Sequence, residues 1–186
     1  MKTTKIRQIR KNMILLLTLL VMSIQTTWAQ ALEKKDITED CDFVAGTISF
    51  TLPEGNSNCT WKVGGKEINE GITNDTRTLT LEMSQKTDTV EVTYTDANQT
   101  SQSLSFEVEP KVYGEEYNGK KFYAESYAGG KGTKEEPFII STDLELAKLA
   151  KDVNTGSSKV MKSGEYFKLT KDIDLKHGIW TPIGST

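Results

Sequence analysis

The 186-residue sequence predicts a mostly β protein in which a small antiparallel β-sandwich precedes a shorter module that holds one helix. Three observations predict this class. Apolar and polar residues alternate in six short segments between Cys41 and Pro110, which is the period of half-buried strands. Only the segment from Thr142 to Gly156 combines a helix-start signal, apolar residues at helical spacing and a helix-stop signal. Polar β-forming residues, threonine above all, dominate the composition.

The first 31 residues have the pattern of an export signal. A basic stretch without acidic residues precedes an apolar run at 13–24, and small residues follow at Ala29 and Ala31. This order predicts a signal peptide, 1–31, that is cleaved after residue 29 or 31. The apolar run is shorter than the roughly 20 residues needed to cross a bilayer. We therefore expect no stable membrane span after cleavage and an exported product, at the cell surface, in the periplasm or outside the cell.

The remainder of the chain is acidic. The sequence has 23 basic and 26 acidic residues, and the leader holds five of the basic ones and no acidic one, which leaves a net charge of about −8. An acidic chain repels nucleic acid and anionic lipid rather than binding them. This balance excludes nucleic acid as a partner. Because the chain is expected to be exported, we expect its partner to be an extracellular glycan or protein ligand.

Composition divides the rest of the chain into four parts. A linker at 32–40 precedes the sandwich at 41–110, and a linker at 111–126, with proline, glycine and mixed charge, precedes the final module at 127–186. The predicted strands of the sandwich are 47–52, 59–63, 66–68, 77–81, 89–94 and 103–108. Gly64 and Gly65 predict a hairpin turn between two of them. Six short strands with alternating faces predict a small antiparallel sandwich.

Trp61 introduces a series of motifs that resembles a known module. A tryptophan on an early strand is followed by a Gly-Gly turn, a Thr-Leu-Thr-Leu strand and a Val-x-Val-x-Tyr-Thr-Asp strand. This order resembles immunoglobulin-like modules of the polycystic-kidney-disease type. The resemblance implies the architecture and a display role, because such modules are common as spacers in bacterial surface proteins.

The two cysteines, Cys41 and Cys59, favour a disulfide, since an exported protein with an even number of cysteines commonly pairs them. The bond would close a loop of about 19 residues, worth roughly 3 kcal/mol in the chain-entropy model. The alternative is a pair of reduced, buried thiols. A metal site is disfavoured, because there are only two thiols and one distant histidine.

The final module opens with the glycine-rich stretch 129–133, in which Lys131 lies between glycines. A phosphate-binding loop would need the lysine after the second glycine and a helix directly behind it, so we interpret the stretch as a turn that uses positive φ. A strand at 137–140 follows, and Thr142 with Glu145 predicts a capping box at the start of the helix. We expect apolar residues beyond the helix to be buried in further strands, namely Tyr166, Leu169, Ile173 and Leu175.

These motifs resemble a second family. The patterns Gly-Gly-x-Gly-Thr-x-x-x-Pro-Phe-x-Ile, Leu-Ala-x-Leu-Ala-x-x-Val-Asn, Tyr-Phe-x-Leu-Thr-x-Asp-Ile-Asp-Leu and Trp-x-Pro-Ile-Gly occur in order between Tyr127 and Thr186. They resemble the lead-in to the GLUG-motif β-helix proteins of Bacteroidetes and Firmicutes. The resemblance implies that residues 127–186 are the N-terminal cap of a right-handed β-helix, truncated before its Phe/Gly repeats. It also implies a role in surface adhesion. We expect no cofactor.

Two acidic residues and one histidine are the remaining candidates for chemistry. Asp172 and Asp174 would share one face of a strand and could meet one metal ion, but calcium takes six or more oxygens, so a structural or solvated role is favoured. We interpret His177, which lies beside Gly178 in a predicted turn, as an exposed loop residue. A catalytic histidine would need an oriented partner, which the sequence does not show. The sequence therefore predicts no catalytic residue.

Three hypotheses about the function follow from these features. The first is an exported, non-catalytic surface or secreted protein with an adhesin-like binding role, as a fragment of a longer β-helix protein. The alternative is the N-terminal part of a secreted enzyme that acts on polysaccharides, since β-helices also carry lyases and hydrolases. The third is a non-functional fragment.

Overall fold

The computed structural model describes residues 30–156 and 164–185. From Ala31 onward the chain forms one unit. The basic and apolar parts of the predicted signal peptide lie outside the described residues. Within the described part, no helix is both long enough and apolar enough to cross a membrane.

The first sheet has four antiparallel strands in the order β1-β2-β6-β5. These strands are β1 (Thr38–Asp42), β2 (Thr47–Thr51), β5 (Ile72–Thr73) and β6 (Thr78–Glu82). The alternation that predicts β2 is also seen in its burial: Ile48 and Phe50 are buried, while the other three residues of the strand are partly exposed. One face of this sheet therefore belongs to the core.

The second sheet also has four antiparallel strands, in the order β4-β3-β7-β8. They are β3 (Ser57–Val63), β4 (Lys66–Ile68), β7 (Asp88–Thr95) and β8 (Ser101–Val108). Gly64 and Gly65 join β3 to β4 with φ of 55° and 77°. A two-residue hairpin with positive φ at both positions matches the twist of its strands, which confirms the predicted turn.

The two sheets, called the paired sheets below, share one core. The Phe50 ring of β2 lies 5.2 Å from the Phe106 ring of β8. Trp61 of β3 is fully buried, and its indole Nε1 donates to the Thr76 carbonyl oxygen at 2.7 Å. Because every predicted strand of this part is present within two residues, the prediction of a mostly β chain with antiparallel sheets is confirmed.

Residues 111–126, predicted as a linker, contribute side chains to this core. A short hairpin is formed by β9 (Glu116–Tyr117) and β10 (Lys120–Lys121). Phe122 is fully buried between the rings of Phe43 and Tyr113, with centroid distances of 4.4 Å and 4.0 Å. The segment thus packs against the paired sheets.

The final module contains β11 (Phe138–Ile140), α1 (Asp143–Asn154) and β12 (Phe167–Leu169). β11 and β12 pair in parallel, with Phe138 opposite Phe167. At the start of α1, Thr142 Oγ1 accepts from the Glu145 amide at 3.2 Å, and Glu145 Oε2 accepts from the Thr142 amide at 3.1 Å. The predicted strand, helix and capping box are all confirmed.

The predicted burial of the residues after the helix is wrong in part. Tyr166 and Leu169 are 48% and 55% exposed. The reason is that β12 has only three residues and, within the described chain, pairs with β11 alone. Ile173 and Leu175 are half-buried, but they lie on irregular backbone rather than in strands.

Replacing Thr142 with alanine is expected to lower the free energy of unfolding by about 1 kcal/mol, because the first turn of α1 loses the hydroxyl that caps the Glu145 amide. Urea denaturation followed by circular dichroism measures the change. Thr142→Ser is the matched control, since serine keeps the hydroxyl and should unfold near the wild-type midpoint. Equal destabilisation by serine and alanine would contradict the capping role.

Candidate functional site

The two cysteines do not form the predicted disulfide in the structure; both are free and buried. Cys41 pairs with Ile48, which is level with Leu81 of β6, whereas the Cys59 amide donates to Thr76 Oγ1 before β6 begins. The three residues from Leu81 back to Thr78, where β6 begins, already separate the levels of the two cysteines by about 10 Å along the strand, at 3.3 Å per residue. A disulfide requires the two Cα atoms within about 7 Å. Burial raises the pKa of both thiols, so they are packing groups rather than reactive ones.

Asp172 and Asp174 lie beyond the end of β12, and both are exposed. They are not on a strand, so the predicted shared face does not exist. Asp174 Oδ1 instead accepts from the Lys176 amide at 3.1 Å and closes a turn. Among the described residues, no group of three or more His, Cys, Asp or Glu side chains is placed to hold a metal ion.

His177 is not the exposed loop residue that the sequence predicts, because only 19% of its side chain is accessible. Its ring lies directly against Gly46, where an added Cβ would come within 2.5 Å of Cε1. Nε2 is 3.5 Å from Glu82 Oε1, and Nδ1 is 3.9 Å from Asp143 Oδ2. The fold therefore supplies acidic neighbours that are far away in the sequence.

The groups around His177 form a network that we call the His177 joint: Glu82, Tyr113, Asp143, Lys176 and His177. The Tyr113 hydroxyl donates to Asp143 Oδ2 at 2.8 Å, and Lys176 Nζ is 2.6 Å from Glu82 Oε1. Burial, together with the hydrogen bond to Asp143, raises the pKa of Tyr113. The phenol therefore stays protonated and is not a base at neutral pH.

The His177 joint contains residue types that catalyse reactions, but its geometry is that of a structural contact. The distance from Nδ1 to Asp143 is longer than a hydrogen bond. Nε2 faces the carboxylate of Glu82, which is itself paired with Lys176. The network links the residues after β12 to β6 and to the first turn of α1, so its contacts hold these segments together.

A second convergence of polar groups lies at an open cleft of about 380 Å³ in the final module. We call it the Tyr127 cleft. It is lined by Glu125, Ser126, Tyr127, Gly129, Gly130, Phe138, Lys148, Asp152 and Glu165. The lining thus combines the glycine-rich turn, β11, one face of α1 and the residue that precedes Tyr166.

Two aromatic residues, Tyr127 and Phe138, belong to the lining of the Tyr127 cleft and are called its base, and Phe167 packs against both of them. The Tyr127 ring stacks on Phe138 with centroids 4.9 Å apart, and Phe167 meets Tyr127 edge-on at 5.4 Å. Phe138 and Phe167 are opposite residues of the parallel pair, so β11 and β12 hold both rings in register. The base of the cleft is therefore preformed by the sheet.

Charged groups surround this base. The Tyr127 hydroxyl donates to Asp152 Oδ2 at 3.1 Å, and Lys148 Nζ is 3.0 Å from the same oxygen. Burial raises the pKa of Tyr127, as do the negative charges of Asp152 and Glu165. Among the residues that the structure describes, Glu165 Oε2 is buried and has no hydrogen-bond partner. An acceptor of this kind calls for an explanation, because nearly all buried polar atoms are paired.

The glycine-rich turn shapes the cleft and does not bind phosphate by the P-loop pattern. Gly130 and Gly132 have φ of 88° and 78°, which confirms the predicted positive φ. A Cβ at Gly130 would overlap the Pro137 carbonyl oxygen, and one at Gly132 would lie 2.6 Å from the Phe138 ring. Glycine is needed here because the turn lies directly on β11.

The sequence did not predict the Tyr127 cleft, although it contained two signals. Lys148 and Asp152 are four residues apart on α1, which places them on one side of the helix. Tyr127 directly precedes the glycine-rich turn. Neither signal shows that Tyr127 and this side of α1 lie close to Glu165 in the fold.

No family model, no curated protein and no solved structure matches this chain.

Proposed function

We propose that the protein is an exported, non-catalytic binding protein of the cell surface or extracellular space, with an adhesin-like role. The observation that carries the proposal is the strand order of the paired sheets. The orders β1-β2-β6-β5 and β4-β3-β7-β8 correspond to the ABED and C′CFG sheets of an immunoglobulin-like sandwich. Trp61 on β3 supports this assignment, since a buried tryptophan on strand C is a feature of that fold.

We further propose that the final module is the cap of a β-helix. The parallel pairing of β11 with β12 across α1 is compatible with the first rung of a parallel solenoid. Tyr166 and Leu169 leave apolar surface exposed beside β12. A solenoid buries such surface against the next repeat. In this proposal the immunoglobulin-like module displays the cap away from the cell.

A binding role fits the site geometry better than catalysis does. In the His177 joint the polar side chains are already paired with one another. Glu82 pairs with Lys176, and Asp143 accepts a hydrogen bond from Tyr113. The Tyr127 cleft has an aromatic base and several polar groups in its lining, as small-molecule sites do. Its ligand would be an extracellular glycan or a component of a protein partner.

The experiment is a binding and turnover assay on the intact chain. Immobilised extracellular glycans and matrix proteins are screened by biolayer interferometry, and the same polysaccharides are incubated in solution and assayed for new reducing ends. We expect saturable binding and no released product. Release of product would contradict the non-catalytic role and favour the polysaccharide-acting enzyme instead.

Export is tested separately by the N-terminal sequence of the protein recovered from outside the cytoplasm. We expect the mature chain to begin at Gln30 or Leu32, since the small residues Ala29 and Ala31 define the cleavage site. Recovery of the chain only from the cytoplasm, with Met1 retained, would contradict export.

A further inference from the structure

Strand β8 lies at one edge of the second sheet, and half of its backbone groups point away from the neighbouring strand β7. The Thr89 carbonyl oxygen of β7 accepts from the Gly64 amide at 2.9 Å, so Thr89 points to the β3 side. Backbone groups alternate in direction along a strand. Glu107, which is opposite Thr89, and every second residue before it in β8 therefore point outward. We call these residues the β8 edge: Ser101, Ser103, Ser105 and Glu107.

The β8 edge is open to a partner. Among residues 30–156 and 164–185, no segment outside the sheet forms a backbone hydrogen bond with it. Its four side chains are exposed. Lys34, from the segment before β1, contacts the core side of β8 instead, where its Nζ lies 4.4 Å from the centre of the buried Phe106 ring. An edge with free N–H and C=O groups is a template for another strand.

In the described part of the chain, the other edges of the paired sheets are protected from such pairing. Strands β4 and β5 have only three and two residues. On β1, the carbonyl oxygens of Glu39 and Cys41 accept from Asn118 Nδ2 at 3.4 Å and from Lys120 Nζ at 2.9 Å. Short length and side-chain cover are ways in which proteins avoid edge pairing. Strand β8 has neither, since it is eight residues long and pairs with β7 without a register shift.

We propose that β8 pairs antiparallel with β8 of a second copy of this chain, across a twofold axis at Leu104. Ser101 then faces the partner's Glu107, and Ser103 faces the partner's Ser105. All residues of the β8 edge form hydrogen-bonded pairs in this register. A shift by two residues in either direction leaves Ser101 or Glu107 without a strand residue opposite it. No like charges face each other, which would be unfavourable.

A second copy fits this edge because a twofold contact needs a surface that is complementary to itself. The serines at the middle of the edge are small and uncharged, so two such edges can approach closely. Leu104, which is half-buried on the other face of the strand, would meet the partner's Leu104 and lose exposed apolar surface. Pairing uses the free side of both strands, so association ends at the dimer. The inference does not depend on the binding role proposed above.

Analytical ultracentrifugation of the chain as the cell produces it tests the proposal. One strand pair is a small interface, so we examine concentrations from about 10 µM to about 1 mM, where weak complexes form. The mass should rise from that of one chain to that of two and then stay constant. A monomer at every concentration overturns the proposal, and so does growth beyond two chains.

Hydrogen exchange of the wild-type chain locates the contact. The Ser103 and Ser105 amides should exchange at least tenfold more slowly in the concentrated sample than in the dilute one. The Leu104 amide points to β7 and should change much less. If the Ser103 and Ser105 amides are already protected in the dilute monomer, another segment of the chain covers the edge and the proposal is overturned.

A proline at the edge removes one outward donor. Ser105→Pro deletes the N–H that faces the partner and leaves the bonds to β7, because proline is tolerated where the N–H of an edge strand points to solvent. Dimerisation should weaken at least tenfold, with circular dichroism unchanged. Ser105→Thr keeps the N–H and should dimerise like the wild type. A folded Ser105→Pro variant that dimerises normally overturns the proposal.

Charge variants test the register without removing a backbone group. Ser101→Lys faces the partner's Glu107 twice in each dimer, so it should tighten dimerisation about threefold, and Ser101→Glu should weaken it by a similar factor. Thr60→Lys is the control for net charge, since it adds the same charge at an exposed position of β3, away from the edge. Equal effects of Ser101→Lys and Thr60→Lys overturn the proposed pairing.

Discussion

Replacing Trp61 with alanine is expected to lower the free energy of unfolding by about 3–5 kcal/mol. The indole is fully buried between the paired sheets, so its removal leaves a large cavity that the surrounding strands can fill only in part. It also removes the hydrogen bond from Nε1 to the Thr76 carbonyl oxygen. Urea denaturation followed by circular dichroism measures the loss. A domain of this size has only about 5–15 kcal/mol in total, so the variant will be marginally folded at 37 °C.

Two variants separate the contributions to this effect. Trp61→Phe keeps most of the buried volume and deletes the donor, so it should cost about 1–3 kcal/mol through the unpaired carbonyl oxygen. Leu169→Ala removes an apolar side chain that is mostly exposed, and it should stay within about 0.5 kcal/mol of the wild type. A Trp61→Ala variant no less stable than Leu169→Ala would show that the indole is not a core residue.

Trp61 and Thr142 show what a sequence predicts well. Residues 59–63 alternate between buried and exposed positions, so the strand and its inward face follow from neighbours in the chain. The capping box needs only Thr142 and Glu145, three residues apart. In both cases the information is local, and the structure confirms it.

Strand β1 shows why other parts could not be predicted. Thr38–Asp42 contains one apolar residue, Cys41, and its other four residues are polar. A segment with a single apolar residue lacks the alternation by which strands are recognised. Its place is decided by pairing with β2, which is information about a neighbouring strand rather than about β1 itself.

The candidate site depends on contacts of still longer range. The sequence predicts an exposed loop position for His177, beside Gly178, yet the fold places Glu82 and Asp143 beside its ring. Similarly, Tyr127 and Glu165 lie on opposite sides of α1 in the sequence and meet only when β12 pairs with β11. Such sites follow from the topology, which local patterns do not determine.

Replacing Gly130 with alanine is expected to destabilise the final module by about 3 kcal/mol. A Cβ at φ of 88° is strained by about 1–3 kcal/mol, and here it would also collide with the Pro137 carbonyl oxygen. Relieving this collision requires the turn to move away from β11. That movement breaks the hydrogen bond from the Ile139 amide to the Gly129 carbonyl oxygen, which is 2.9 Å long.

Gly129→Ala is the matched control for Gly130→Ala, because an added Cβ at Gly129 meets nothing within 4 Å and its φ is not positive. Hydrogen exchange of the Ile139 amide should accelerate about 100-fold in Gly130→Ala, since each 1.4 kcal/mol is a factor of ten, and hardly at all in Gly129→Ala. The Val92 amide of β7 reports on the paired sheets at the same time. If only Ile139 accelerates, the final module opens by itself as a separate cooperative unit. If Val92 accelerates equally, the His177 joint makes the two parts unfold together. Indistinguishable exchange in the two alanine variants would contradict the close packing of the turn on β11.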